Sequence, residues 1–88
     1  MPRAVCFTPA AWDDYTHWQG QDKKTLKRIN TLIEATAGDP FSGIGKPEPL
    51  LGNLSGYWSR RIDEVHRLVY AADDAQLDVI ACRGHYDD

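Results

Sequence analysis

The spacing of apolar and polar positions divides the chain into six elements around one long connection. Residues 4–8 (AVCFT) are a short apolar, partly β-branched run that predicts a first strand. Thr8-Pro9 then signals a helix start, with Thr8 as N-cap and Pro9 at the first helical position. Ala11, Tyr15 and Trp18 recur at helical spacing with Trp12 beside them, and together predict the buried face. Asp13 and Asp14 fall in the early turns, where the helix dipole favours negative charge. Gly20 is expected to break this helix and Asp22 to cap the next. There Leu26, Ile29, Ile33 and Ala37 draw an apolar stripe with Leu32 at its edge. Lys23, Lys24, Lys27 and Arg28 gather opposite it and read as a solvated face, with RNA contact as the competing reading. Gly38 suits a C-cap, and Asp39-Pro40 a stop.

Residues 39–56 make an unusually long connection, rich in Gly and Pro, of the kind that is functional when it is ordered. Phe41, Ile44, Leu50, Leu51 and Leu54 within it are expected to pack down. Three strands follow at period two: 57–63, 66–72 and 76–83, joined by tight turns at Asp63-Glu64-Val65 and Asp73-Asp74. In the first of these Trp58 and Ile62 share one face, and Tyr57, Ser59 and Arg61 the other. The fold class this predicts is α+β, in the order βααβββ, with a two-helix hairpin packed on a small, mainly antiparallel sheet.

At 88 residues the chain has room for a single domain, 1–88, and its hydrophobic fraction of 42% suits a folded globular protein. No apolar run approaches the roughly 18 residues of a membrane span, and MPRAVCFTPAAW lacks the apolar core of a signal peptide. A cytoplasmic location is expected. Cys6 and Cys82 then read as reduced, small core residues on strands.

The net charge of −3 is wrong-signed for a nucleic-acid binder, but it is unevenly spread. Residues 46–70 carry four basic and three acidic side chains, whereas 71–88 hold one Arg against five Asp. The chemistry-bearing residues concentrate in that basic stretch. In Lys46-Pro47-Glu48-Pro49 each proline restricts the residue before it, so Lys46 and Glu48 are both expected to be extended and presented at low entropic cost. That suits a positioned carboxylate, and it equally suits a rigid connector with a solvated Glu. Arg61 and Arg67 are expected on the open face of adjacent strands, where two guanidiniums could clamp a phosphate. Arg60 reads as solvated or paired with an acid. After the last strand Arg83, His85 and Tyr86 are placed to close the same site: His85 can donate a proton at neutral pH, and Tyr86 can stack on a base or bond a phosphate. His66, Cys82 and His85 lack the spacing of a metal site, and GIGK at 43–46 lacks that of a phosphate loop.

These motifs together resemble the YoeB (Txe) branch of the RelE superfamily of bacterial toxins. The resemblance runs from about Trp12 to Tyr86, through Trp12-Asp13-Asp14-Tyr15, Gly45-Lys46-Pro47-Glu48-Pro49-Leu50, Asn53-Leu54-Ser55-Gly56, Trp58-Ser59-Arg60-Arg61-Ile62, His66-Arg67-Leu68-Val69-Tyr70, Cys82-Arg83 and His85-Tyr86. It implies a type II toxin, a ribosome-dependent endoribonuclease that cuts mRNA in the decoding site and arrests translation. It implies a YefM-type antitoxin, operator DNA bound only through that antitoxin, and a homodimer. No cofactor and no metal are implied. By motif position Glu48 matches the general base, His85 the general acid, Arg67 the arginine that stabilises the transition state, and Tyr86 the terminal tyrosine. Lys46 and Arg61 fall where supporting cations lie. The chain departs from the pattern at Leu51, where many members have a basic residue, and in Asp87-Asp88, which extend past the terminal His-Tyr. Two other readings stay open: a toxin-fold binding module acting with an antitoxin in DNA repression, and a relative that inhibits DNA gyrase.

Overall fold

A computed structural model describes residues 2–84 of the chain. Strand β1 (Ala4–Phe7) leads into helices α1 (Pro9–Gln21) and α2 (Lys23–Gly38). Strands β2 (Glu48–Pro49), β3 (Trp58–Arg61), β4 (Arg67–Ala72) and β5 (Gln76–Ala81) follow, with one 3₁₀ turn at Gly52–Leu54. The sheet runs β1-β5-β4-β3-β2, antiparallel throughout except for the parallel β1/β5 pair. Parallel strands need a crossover between them, and the α1–α2 hairpin supplies part of it by carrying the chain across one face of the sheet. The α+β class and the helix-then-strand order agree with the sequence reading, and β2 is an addition to it.

Local chemistry sets the element ends. The Thr8 side chain accepts from Ala11 N at 3.1 Å, and Pro9 opens α1. The Asp22 carboxylate accepts from Lys24 N and Thr25 N and caps α2, and hydrogen bonding from Thr25 holds its carboxyl below the usual range. Contrary to expectation, α1 runs through Gly20 to Gln21, since a single glycine costs a helix only about 1 kcal/mol. Helix α2 includes Gly38, and Asp39 in extended conformation caps it instead. Asp63 and Asp73 each turn the chain by accepting two backbone N–H groups, at 2.6–2.8 Å.

The main core lies between the helices and one face of the sheet. Ala11 and Trp18 of α1 and Ile29, Leu32 and Ala37 of α2 meet Leu68, Tyr70, Leu77 and Val79 there. Leu32, expected at the edge of the α2 stripe, is fully buried, whereas Ile33 is half-buried. Trp12 is 51% exposed rather than buried: it stacks on Tyr15 and meets the edge of Phe7 at the rim. A second, smaller cluster occupies the opposite face, where Leu50, with Leu54 and Tyr57, covers Val69 and Ala81. The long connection thus packs through Leu50 and Leu54, while Phe41, Ile44 and Leu51 stay exposed. Among the described residues, no helix is long and apolar enough to cross a membrane.

A register shift between β4 and β5 decides how the chain leaves the sheet. Val69 pairs with Ala81 and Tyr70 with Val79, so Ile80 is the extra residue of a bulge. Unbroken alternation would place Cys82 on the face of Asp78 and Ile80. The bulge turns it into the main core instead. There burial, and then the charge of Asp14, push its thiol up to about 12. Cys6, expected in the core, is exposed, because its face of the edge strand β1, opposite that of Phe7, has no covering layer. One thiol equivalent is therefore expected to react with a maleimide at pH 8 in the native protein, and the second only in denaturant. Two fast equivalents would contradict the Cys82 environment.

Candidate functional site

Glu48 pairs with Ser59, Ser59 with Val69, and Arg61 with Arg67. Directly opposed residues share a face and alternate residues return to it, so Glu48, Arg61 and Arg67 all project from the face away from the helices. Two strand spacings and a two-residue advance put the Cα atoms of Glu48 and Arg67 roughly 12 Å apart, within the combined reach of a Glu and an Arg side chain on one substrate. The register thus gathers three of the seven residues singled out from sequence.

Glu48 is exposed on a two-residue edge strand, extended as the proline pattern predicts. Lys46 is not extended: its φ of 51° lies in the left-handed region. The clash with the Pro47 ring removes the right-handed helical region, and the turn through Gly45 uses the left-handed one. Gly45 has a φ of 81°, and a Cβ there would stand 2.8 Å from Leu32 Cδ2 and 3.2 Å from Arg60 Cβ. Its carbonyl accepts from Arg61 N. Lys46 is therefore held, exposed, beside the end of β3 that carries Arg61.

Arg61 is exposed, and its carbonyl accepts from Arg28 Nη2 of the basic face of α2 at 3.3 Å. Arg67 is half-buried, and its Nη1 donates to the carbonyls of Asp63 at 2.8 Å and His66 at 3.2 Å, bracing the β3–β4 turn. His85 and Tyr86 lie outside the described residues; hydrogen bonds fix the chain just before them. Trp18 Nε1 donates to Cys82 O at 2.9 Å, and Cys82 N donates to Asp14 Oδ2 at 3.1 Å. Arg67 N donates to Gly84 O at 2.9 Å, and Gly84 N donates to His66 Nδ1 at 2.8 Å.

Two residues gain roles that sequence reasoning did not assign. His66 receives the Gly84 amide and sets its ring against Trp18, edge-on at 4.8 Å. Arg60, expected in solvent or paired, is fully buried. Its Nε donates to Tyr70 Oη at 3.3 Å, Nη1 to Ile44 O at 2.8 Å, and Nη2 to Asp39 O at 2.6 Å and Ser42 O at 2.8 Å. The Tyr70 hydroxyl in turn donates to Pro40 O at 2.6 Å, and burial raises its pKa. The signal for Arg60 was present, since it lies between Trp58 and Ile62 on the face read as buried.

Comparison with known proteins gives the family. The model of the YoeB-like toxin of bacterial type II toxin-antitoxin systems matches residues 7–86. The chain belongs to the YoeB-like toxin family. Toxin YoeB of Synechocystis sp. is 62% identical to it over 82 residues, 93% of this chain and 95% of that one. Among solved structures, the YoeB dimer from Staphylococcus aureus superposes with a TM-score of 0.90 at 44% identity, covering 98% of this chain and all of the other. A heterotetrameric YoeB–YefM toxin–antitoxin complex from the same species matches with a TM-score of 0.87, again at 44% identity and over 98% and 100% of the two chains. Residues 45–50 and 66–70 are the segments that carry Lys46 and Glu48 on one side of this sheet face and Arg67 on the other.

Proposed function

We propose that the chain is a type II toxin of one domain, residues 1–88, that acts in the cytoplasm as a ribosome-dependent mRNA endoribonuclease. The observation that carries this reading is the strand register, in which Glu48, Arg61 and Arg67 share the sheet face away from the helices and the Arg67 amide bonds Gly84, the residue before His85 and Tyr86. RNA cleavage through the 2′-hydroxyl needs three things there: a base, cations and an acid. Glu48 takes the proton of the 2′-hydroxyl as its oxygen attacks phosphorus. Arg67, supported by Arg61 and Lys46, stabilises the charge of the phosphorane. His85 protonates the departing 5′-oxygen as the P–O5′ bond breaks, leaving a 2′,3′-cyclic phosphate and a 5′-hydroxyl, and Tyr86 holds the nucleotide. Side-chain acid–base chemistry is sufficient for each step.

By analogy with the S. aureus YoeB–YefM and YoeB dimer structures, the partners are a YefM-type antitoxin and a second copy of the chain. Operator DNA is reached only through the antitoxin. The excess of acidic over basic residues gives poor affinity for naked RNA, so the ribosome supplies the binding energy.

Primer extension on an mRNA in a reconstituted translation reaction tests this, with and without ribosomes, for wild type and His85→Ala. Cuts at decoding-site codons that need ribosomes and fall at least about 10²-fold in the variant are expected. Efficient cutting of a protein-free transcript would remove the ribosome from the mechanism. No cutting under any condition would leave a toxin-fold binding module.

A further inference from the structure

The segment 82–84 is fixed from two sides, by Trp18 and Asp14 of α1 and by His66 and the Arg67 backbone at the start of β4. Three of these four bonds use groups with another evident part: Trp18 fills the core, Asp14 is helical surface, and the Arg67 amide continues the strand pairing. His66 differs. Its ring is half-buried, it accepts the Gly84 amide at Nδ1, and it acts on the residue directly before His85. Accepting at Nδ1 places the proton of the neutral ring on Nε2. The edge contact with Trp18 fixes the ring plane, so that the lone pair points at the amide.

We infer that His66 is a positioning residue whose Nδ1 holds the Gly84 amide and so sets where the following His85 delivers its proton. This deepens the nuclease reading and rests on it. Gly84 has a φ of 99°, a conformation that glycine adopts without strain but that nothing in its own side chain enforces. With its carbonyl held by Arg67 N and its N–H by His66, both peptide groups flanking Gly84 are oriented. Losing the acceptor frees one of these peptides while leaving the core intact. A displacement of about 1 Å at a proton donor is enough to cost on the order of 10²-fold in rate.

Two substitutions separate this role from packing. In His66→Asn, Oδ1 occupies the place of Nδ1 and retains the acceptor, but the ring on Trp18 is lost. In His66→Phe the ring is retained and the acceptor is lost. Single-turnover cutting of ribosome-bound mRNA is expected to stay within about 5-fold of wild type in His66→Asn and to fall about 10–100-fold in His66→Phe, through kcat rather than KM. Hydrogen exchange of the Gly84 amide, which does not depend on activity, is expected to be protected in wild type and His66→Asn and fast in His66→Phe. The opposite order, with His66→Phe active and His66→Asn impaired, would reduce His66 to a packing residue and overturn the inference. So would a His66→Phe that cuts like wild type while His85→Ala does not cut. A wild type that cuts no better than His85→Ala sinks the nuclease reading and this role with it, a pattern distinct from either.

Discussion

Glu48→Gln is expected to slow cutting of ribosome-bound mRNA by about 10²–10⁴-fold while leaving the melting temperature of the free protein within about 2 °C of wild type. The stability half of this expectation follows from exposure. Glu48 lies on the outer edge of a two-residue strand, and the exchange to Gln leaves the β2–β3 backbone pairing and both neighbouring prolines untouched. The rate half follows from the assigned role, since an amide cannot accept the 2′-hydroxyl proton. Because Arg61, Arg67 and Lys46 remain, ground-state binding should persist, so kcat should fall with little change in KM. Glu48→Asp draws the carboxylate back by one methylene on the same rigid backbone, and an intermediate loss, on the order of 10²-fold, is expected. The rival explanation of the Lys-Pro-Glu-Pro motif is a stiff connector with a solvated carboxylate. It predicts rates within about threefold of wild type for both variants, and that result would remove Glu48 from the chemistry.

Elements with a strong period were legible in the chain: both helices, the three C-terminal strands and the two Asp-capped turns. What escaped shares one cause, that tertiary contacts decide it. Two residues of pairing at Glu48–Pro49 leave no periodic trace, so β2 could not be separated from its loop. The Ile80 bulge shifts the face of everything after it, and no residue type announces it. Cys6 looked like core because small apolar residues on strands usually are, but an edge strand has one face without a layer above it. That Arg61 and Arg67 share a face was readable, because the alternation that places Trp58 and Ile62 inside places Arg61 outside, and strand pairing then aligns Arg67 with it. The left-handed turn at Lys46 and the acceptor role of His66 were not readable, since each depends on a partner distant in sequence: Arg61 N on Gly45 O, and Gly84 N on His66 Nδ1. At Arg60 periodicity and charge disagreed. Periodicity was right.

That disagreement leads to the largest expected effect on stability. Arg60→Met keeps most of the volume and removes the charge, and it is expected to destabilise the fold by about 3 kcal/mol or more. Two terms compete. Burying a guanidinium costs desolvation energy, and replacing buried ion pairs by apolar residues is often neutral or stabilising. Here, however, no carboxylate leaves together with the arginine. The carbonyls of Asp39, Ser42 and Ile44 and the Tyr70 hydroxyl stay behind, turned inward around the vacated position. Each acceptor left without a donor costs about 1–3 kcal/mol, so three carbonyls outweigh the relief of desolvation unless the 39–45 loop swings out to water. Such a swing would itself release the Gly45 turn that presents Lys46 and Glu48. Arg60→Lys supplies donors to one or two of the carbonyls without the planar fork, and should recover roughly half of the loss. Urea unfolding of the three proteins reads this directly. For a chain of this size the Met variant should also melt more than about 10 °C below wild type. An Arg60→Met protein as stable as wild type would mean that the four hydrogen bonds merely offset the cost of burying the charge, and that the loop is held by Leu50 and Leu54 instead.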